Sequence, residues 1–319
     1  MNPKLPLLLC LLAAGVYFWS TRSYRRVEPT PTQAIGTIES SNPIPLDTSP
    51  ASIAINANEV IAQAADQLLQ SPALHAKARF KVDLMGQQLA APGDYWQQGE
   101  GSRKTRLEFR YQSEGSRLDA LQVCDGRYFY WYRTFNADGK LEYVDLKQIE
   151  AAKNDESPFL GGRRAWDTVG GLSSMMEHFS KAFDFEPVSR ATLDGIPVVV
   201  VRGRWKQDSL ARLMEGQVDA AKLAGEDWWK HLPAHLPHAV QFTIGTEDPF
   251  PFFPYRVEFL QYVNQAETVL VKPVVTLELY EVESMTNIPP ALFQVAAVRC
   301  EPVDVTQFYL DRVHQFTRR

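Results

Sequence analysis

Arg106-Leu107-Glu108-Phe109-Arg110-Tyr111 sets charged and apolar side chains in strict alternation. Period 2 marks a strand, because successive side chains leave opposite faces. Leu107, Phe109 and Tyr111 therefore share one face, and Arg106, Glu108 and Arg110 the other. Arg79-Phe80-Lys81-Val82-Asp83-Leu84 repeats the pattern. A strand greasy on one side and charged on the other belongs to an antiparallel sheet wet on one face. Such a sheet must hide its apolar face under helices, another sheet or a ligand. Which of the three it uses decides the function.

On either side of this stretch, the same signals predict strands over 74–85, 88–99, 103–113, 118–124, 127–134 and 141–146. Further strands follow over 188–193, 196–205, 239–246, 255–264 and 274–282. Asp125-Gly126, Asp138-Gly139 and Asp194-Gly195 read as turns, so sequence neighbours pair and the sheet is a meander. Asn56 or Asn58 caps a first helix reaching Leu69, with Val60, Ile61, Ala64, Ala65, Leu68 and Leu69 on one stripe. A helical turn is expected over 147–153, and a helix over 171–183 with Leu172, Met175, Met176, Phe179 and Phe183 inward. Another runs from Asp208 or Ser209 to Leu223, and a last one covers 303–315. Three prolines make 248–254 a loop, one that presents Phe250, Phe252 and Phe253.

By alternation, Phe80, Val82, Leu84, Leu107, Phe109, Val199, Val201, Val257, Phe259, Val275 and Leu277 lie on apolar faces. They are either the lining of a ligand cavity or core filled by helices. Tyr128, Phe129, Tyr130, Trp131 and Tyr132 form a run aromatic on both faces. Aromatics with polar tips suit the mouth of a lipid site, which adds Tyr128 and Tyr130 to the candidate lining. They suit plain cross-strand pairing equally well.

Composition narrows the classes. The 319 residues are 45% hydrophobic and can bury a full core. The net charge is −5, but residues 1–26 carry Lys4, Arg22, Arg25 and Arg26 and no acid, leaving −9 on the remainder. That balance argues against nucleic acid as a partner, since phosphate binding needs a basic face. Residues 5–19 are apolar except for Pro6, short for a spanning helix of about 17–25 residues and suited to a signal peptide core. Tyr17, Phe18 and Trp19, followed by arginines, suit an uncut signal anchor instead, a transmembrane helix holding the protein to the membrane. The arginines alone would keep the following chain cytoplasmic. Residues 27–55 hold five prolines and many Ser and Thr, a flexible linker with a reach of roughly 30 Å. Residues 56–319 form the folded domain.

No motif for covalent catalysis, nucleotide binding or zinc peptidase chemistry is present, so the chain does not read as an enzyme and no cofactor is expected. His231, His235 and His238 have helical spacing, but Pro233 and Pro237 break that helix, and no metal is expected. Cys124 and Cys300 are either one disulfide or two free thiols.

The closing stretch Asn287-Ile288-Pro289-Pro290-Ala291-Leu292-Phe293 after the last long strand, and the hairpin block 118–133 with its Gln-Val-Cys-Asp-Gly-Arg-Tyr-Phe-Tyr-Trp-Tyr core, resemble the lipoprotein-localisation carriers of the LolA/LolB type. Relatives of that superfamily include envelope-stress sensors and lipid-binding lipoproteins of mycobacteria. The resemblance implies an α+β fold: a half-barrel of about nine to eleven antiparallel strands with helices covering its concave face. It further implies a cavity for lipid acyl chains and an extracytoplasmic, periplasmic place in the bacterial envelope; the membrane tether is read from the N-terminal segment, whereas the family's soluble carrier is cleaved and diffuses freely. The partner would be a lipid or acylated protein; in a sensor of the same fold it would be an envelope protein. The family's soluble carrier is shorter, and here long insertions fall at about 147–187 and 206–238.

Overall fold

The computed structural model describes residues 46–47, 56–71, 73–84, 87–99, 101–113, 116–136, 138–152, 171–233, 236–265, 268–295 and 300–317. The N-terminal apolar segment, almost all of the linker, and His235 lie outside the described residues. No described helix is long and apolar enough to cross a membrane.

Helix α1 (Ala57–Gln70) begins where Asn56 Oδ1 accepts the Glu59 N–H at 3.4 Å, and it ends where the Ser71 N–H returns to the Gln67 carbonyl. Its apolar stripe, Val60, Ile61, Ala64, Ala65 and Leu68, is buried. The strands are β1 (Leu46–Asp47), β2 (Leu74–Leu84), β3 (Gln87–Gln98), β4 (Lys104–Ser113), β5 (Ser116–Cys124), β6 (Tyr128–Phe135) and β7 (Asp138–Asp145). Helices α2 (Leu146–Ala152) and α3 (Gly171–Ala182) separate these from β8 (Phe183–Leu193) and β9 (Ile196–Trp205). The chain continues through α4 (Gln207–Leu213), α5 (Ala220–Leu223), β10 (Ala239–Gly245), β11 (Pro254–Gln265) and β12 (Thr268–Ser284). It ends in β13 (Pro302–Asp304) and α6 (Thr306–Thr317).

One thirteen-stranded open sheet results, in the order β1-β8-β9-β10-β11-β12-β2-β3-β4-β5-β6-β7-β13, an α+β half-barrel. The eleven longer strands match the upper end of the expected count, and the two short edge strands are additional. Every pairing is antiparallel except β13 on β7. Two meanders, β2–β7 and β8–β12, join where the last long strand pairs with the first, with Leu277 opposite Phe80.

Some local expectations need correction. The helix expected up to Leu223 is two short ones, broken where Gly216 takes φ +73°, and the N-cap is Lys206 rather than Asp208 or Ser209. β8 starts at Phe183, five residues early, and β12 runs six residues further back than predicted. Asp138-Gly139 opens β7; the turn sits before it, at Asn136 with φ +50°. The 248–254 loop does not present its three phenylalanines. Phe253 is buried on Tyr255 at 5.1 Å, and Phe250 and Phe252 pack against the core. Cys124 and Cys300 are free thiols; Cys124 is buried, and burial pushes its pKa up to about 11.

Candidate functional site

Residues opposite one another in an antiparallel pair point to the same side, so the registers read out each face. One row runs Val201, Phe242, Val257, Leu277, Phe80, Ala91 across six strands. The next runs Leu279, Ala78, Gly93, Phe109, Ala120, Arg133, Lys140. In these two rows the concave face is apolar until its β6–β7 end, where Arg133 and Lys140 stand. The outer face carries a ladder of charge instead. Glu278 there receives Lys81 at 3.0 Å, Arg256 at 3.2 Å and Arg79 at 3.4 Å, while Gln241 donates to Glu258 at 2.7 Å. Burial pushes the Glu258 carboxyl up.

Helices fill part of the concavity. On α3, Phe179 is fully buried and meets Phe183, Phe242 and Phe259 with centroids 5.3–5.8 Å apart. α1 packs beside α3 over the same half of the sheet. At the far end, α2 and α6 cover Phe129, Trp131 and Val144, and Tyr309 stacks on Trp131 at 5.8 Å with planes 7° apart.

Between these two plugs an open-mouthed cavity remains, with about 130 Å³ accessible to the centre of a water molecule. Its floor is Phe80, Leu107, Phe109 and Ala120, with Phe80 and Phe109 in ring contact at 5.1 Å. Val257, Phe259 and Leu277 form one wall, and Leu172 and Met175 of α3 form the roof. At the closed end Tyr95 donates to Gln97 at 2.5 Å, Gln97 donates on to the Leu68 carbonyl, and burial raises the phenol's pKa. At the other end stands the ion-paired set Arg133–Glu142–Lys140, with both contacts at 2.6 Å. Trp131 also lines the cavity; its indole Nε1 is buried with no hydrogen-bond partner. A buried unpaired donor costs about 1–3 kcal/mol.

Of the residues singled out by alternation, Phe80, Leu107, Phe109, Val257, Phe259 and Leu277 line this cavity. Val82, Val199, Val201 and Val275 are buried in the core cluster around it. Leu84 closes β2 opposite Gln87, and its side chain lies outside the described set. Tyr128 and Tyr130 need correction. They fall on the outer face, because Phe129 and Trp131 take the concave one. There both rings contact Tyr143, at 5.6 and 5.9 Å, and Tyr130 packs on the cluster of Val123, Ile288 and Phe293. The closing Asn-Ile-Pro stretch thus clasps the outside of the barrel, where Arg106 donates to the Leu292 carbonyl at 2.9 Å.

Sequence reasoning missed Leu89, Ala91, Tyr95, Leu118, Ala120, Leu172, Met175, Trp131 and Arg133 as lining. Leu118 and Ala120 alternate with Asp119 and Leu121, a signal blurred by Leu121, which touches both the cavity and the outer cluster. Arg133 breaks the apolar pattern of the face it occupies, so alternation alone cannot flag it.

No protein-family model matches the sequence, and no curated protein matches it. Solved structures are similar in fold. A putative outer membrane lipoprotein-sorting protein domain from Vibrio parahaemolyticus shares 10% identity over 75% of this chain and 96% of its own, with a TM-score of 0.32. A LolA superfamily protein from Nitrosomonas europaea shares 8% over 76% and 99%, TM-score 0.31. LprF from Mycobacterium bovis shares 11% over 73% and 95%, TM-score 0.31. At such identity the likeness concerns the fold alone, and the function rests on this chain's own residues.

Proposed function

We propose that this protein binds an apolar chain, a lipid or the acyl group of a modified protein, without covalent chemistry. The observation that carries the reading is the gap between the α3 plug and the far-end helices. It is walled by Phe80, Leu107, Phe109, Val257, Phe259 and Leu277 and roofed by two flexible-chained residues, Leu172 and Met175. Each methylene buried there contributes about 0.8 kcal/mol. A 16-carbon chain would contribute on the order of 10 kcal/mol before ordering costs. The cavity as it stands holds only part of such a chain, so full loading requires α3 to shift. In this reading the domain works in the bacterial envelope outside the cytoplasm, tied to the membrane by the N-terminal apolar segment through the linker.

Uptake of the neutral fluorescent probe N-phenyl-1-naphthylamine tests it. The wild-type protein takes up the probe, and Phe259→Asp or Leu277→Asp abolishes uptake. A folded mutant with normal loading would sink the idea.

A protein-interaction or sensor module is the second reading, and a separate observation favours it. The β11–β12 ribbon outruns both neighbouring strands and leaves Val263, Val269, Leu270 and Val271 each 40–49% exposed. Leu270→Asp would then break association with an envelope partner while leaving probe uptake intact.

A further inference from the structure

We propose that Trp131 determines which chains the cavity accepts. Its indole N–H donates to an oxygen of the ligand, so a chain bearing a carbonyl is held in preference to a bare hydrocarbon. This rests on the cavity-binding reading above and names a specificity-determining residue within it. One cross-strand row crosses the cavity from Tyr95 through Leu107 and Gln122 to Trp131, and all four residues line the space. Trp131 is 5% exposed, and its Nε1 is buried without a hydrogen-bond partner. Among the described residues, no other lining residue carries a buried side-chain polar atom in that condition. At the opposite end of the row the Tyr95 hydroxyl is already bonded to Gln97.

The ring is not free to turn toward a partner of its own. Tyr309 stacks on it with planes 7° apart, and Phe129 meets it edge-on with centroids 4.6 Å apart. The donor is thus fixed before any ligand arrives, which spares the ordering cost of a bond made by a mobile side chain. Its chemistry then limits the ligand. An indole N–H donates and cannot accept, so the group that meets it must offer a lone pair. A bare hydrocarbon leaves the donor buried and unpaired, which is unfavourable. A hydroxyl satisfies it but brings an O–H that needs an acceptor of its own. A carbonyl oxygen only accepts. In an ester or an amide it stands at the end of an alkyl chain, which the adjoining floor of Leu107, Phe109, Ala120 and Phe80 suits.

The test follows displacement of N-phenyl-1-naphthylamine from the full-length protein by three probes matched in non-hydrogen atoms: methyl octanoate, N-methyloctanamide and undec-1-ene. Replacing Trp131 by 3-benzothienylalanine exchanges the N–H for sulfur and keeps the ring outline. The exchange should weaken the ester and the amide about fivefold or more, the worth of a buried neutral hydrogen bond, and leave undec-1-ene within about twofold. Trp131→Phe should show the same split, and the alkene serves in both variants as the control for folding. Stripped of ligand, the benzothienyl variant should be no less stable in urea than the wild type, because the donor it lacks had no partner to lose. A loss of stability there would show a structural bond and overturn the proposal. A loss of affinity confined to one carbonyl probe supports the role and names the source, an ester-linked lipid or an N-acylated protein. Where both respond, mild base applied to the natively extracted ligand separates the sources, since it cleaves the ester and spares the amide. Equal weakening of all three probes, or of none, overturns the role of Trp131 and leaves the cavity reading standing. Failure of all three to displace the naphthylamine probe overturns both.

Discussion

The ring of Phe179 on α3 meets that of Phe259 in β11 edge-on, with centroids 5.8 Å apart and planes at 61°. That contact divides the concave face. On its β8–β11 side the helix fills the sheet; on its β2–β6 side the space stays open. Replacing Phe179 by Ala removes a fully buried aromatic, and the expected cost is about 3–5 kcal/mol in chemical denaturation. The same change joins new volume to the cavity, so a long-chain probe should bind relatively better than a short one. A loss below about 1 kcal/mol would mean that α3 does not plug the sheet.

Leu172→Trp tests the roof by steric means, without introducing charge. The larger side chain has the cavity to expand into, so stability should change by less than about 1.5 kcal/mol. Uptake of the neutral naphthylamine probe should fall at least tenfold. Undiminished uptake would place the probe elsewhere.

Gly93 is held by the sheet itself. A Cβ there would stand 1.9 Å from the Glu108 carbonyl oxygen and 2.6 Å from the Phe109 ring. Gly93→Ala must therefore pry β3 from β4 or push Phe109 into the cavity. The expected loss is about 1–3 kcal/mol, with weaker probe binding. A neutral Gly93→Ala variant would contradict the β3–β4 register.

His238 gives the acid limb of stability. It is buried beside Trp229 and Tyr262, its Nδ1 accepts the Tyr262 N–H at 2.8 Å, and burial lowers its pKa to about 4. The folded pKa lies below the unfolded value of about 6.5, so the unfolded chain binds the extra proton. Stability from this group is full above pH 6.5 and is lost as pH falls toward 4, by up to about 3 kcal/mol. His238→Asn retains an acceptor near Nδ1 and cannot titrate. Urea titrations from pH 4 to 7 should show the acid slope reduced in the variant; an unchanged slope assigns it to other groups.

Much of the fold was legible because the strands alternate cleanly. Leu107, Phe109 and Tyr111 declared their face, and Asp194-Gly195 declared its turn, with φ of +48° and +85° as a tight hairpin requires. The join between β12 and β2 was not legible, since it pairs residues some two hundred positions apart with no local signal. The site was half legible. Alternation identifies a face, not which part of it a helix covers, so Val199 and Phe259 looked alike although only Phe259 lines the open part. Tyr128 and Tyr130 were misplaced because an all-aromatic run carries no period with which to choose a face. Arg133 was invisible for a related reason: a charge on an apolar face reads as noise until the cross-strand rows are known.

The most direct test of chain binding is native extraction of the full-length protein, followed by mass spectrometry of whatever it releases on denaturation. The expected result is a stoichiometric molecule with an alkyl chain, lost from the Leu172→Trp variant. Wild-type protein that releases nothing, and that binds no alkyl probe afterwards, would overturn the binding reading.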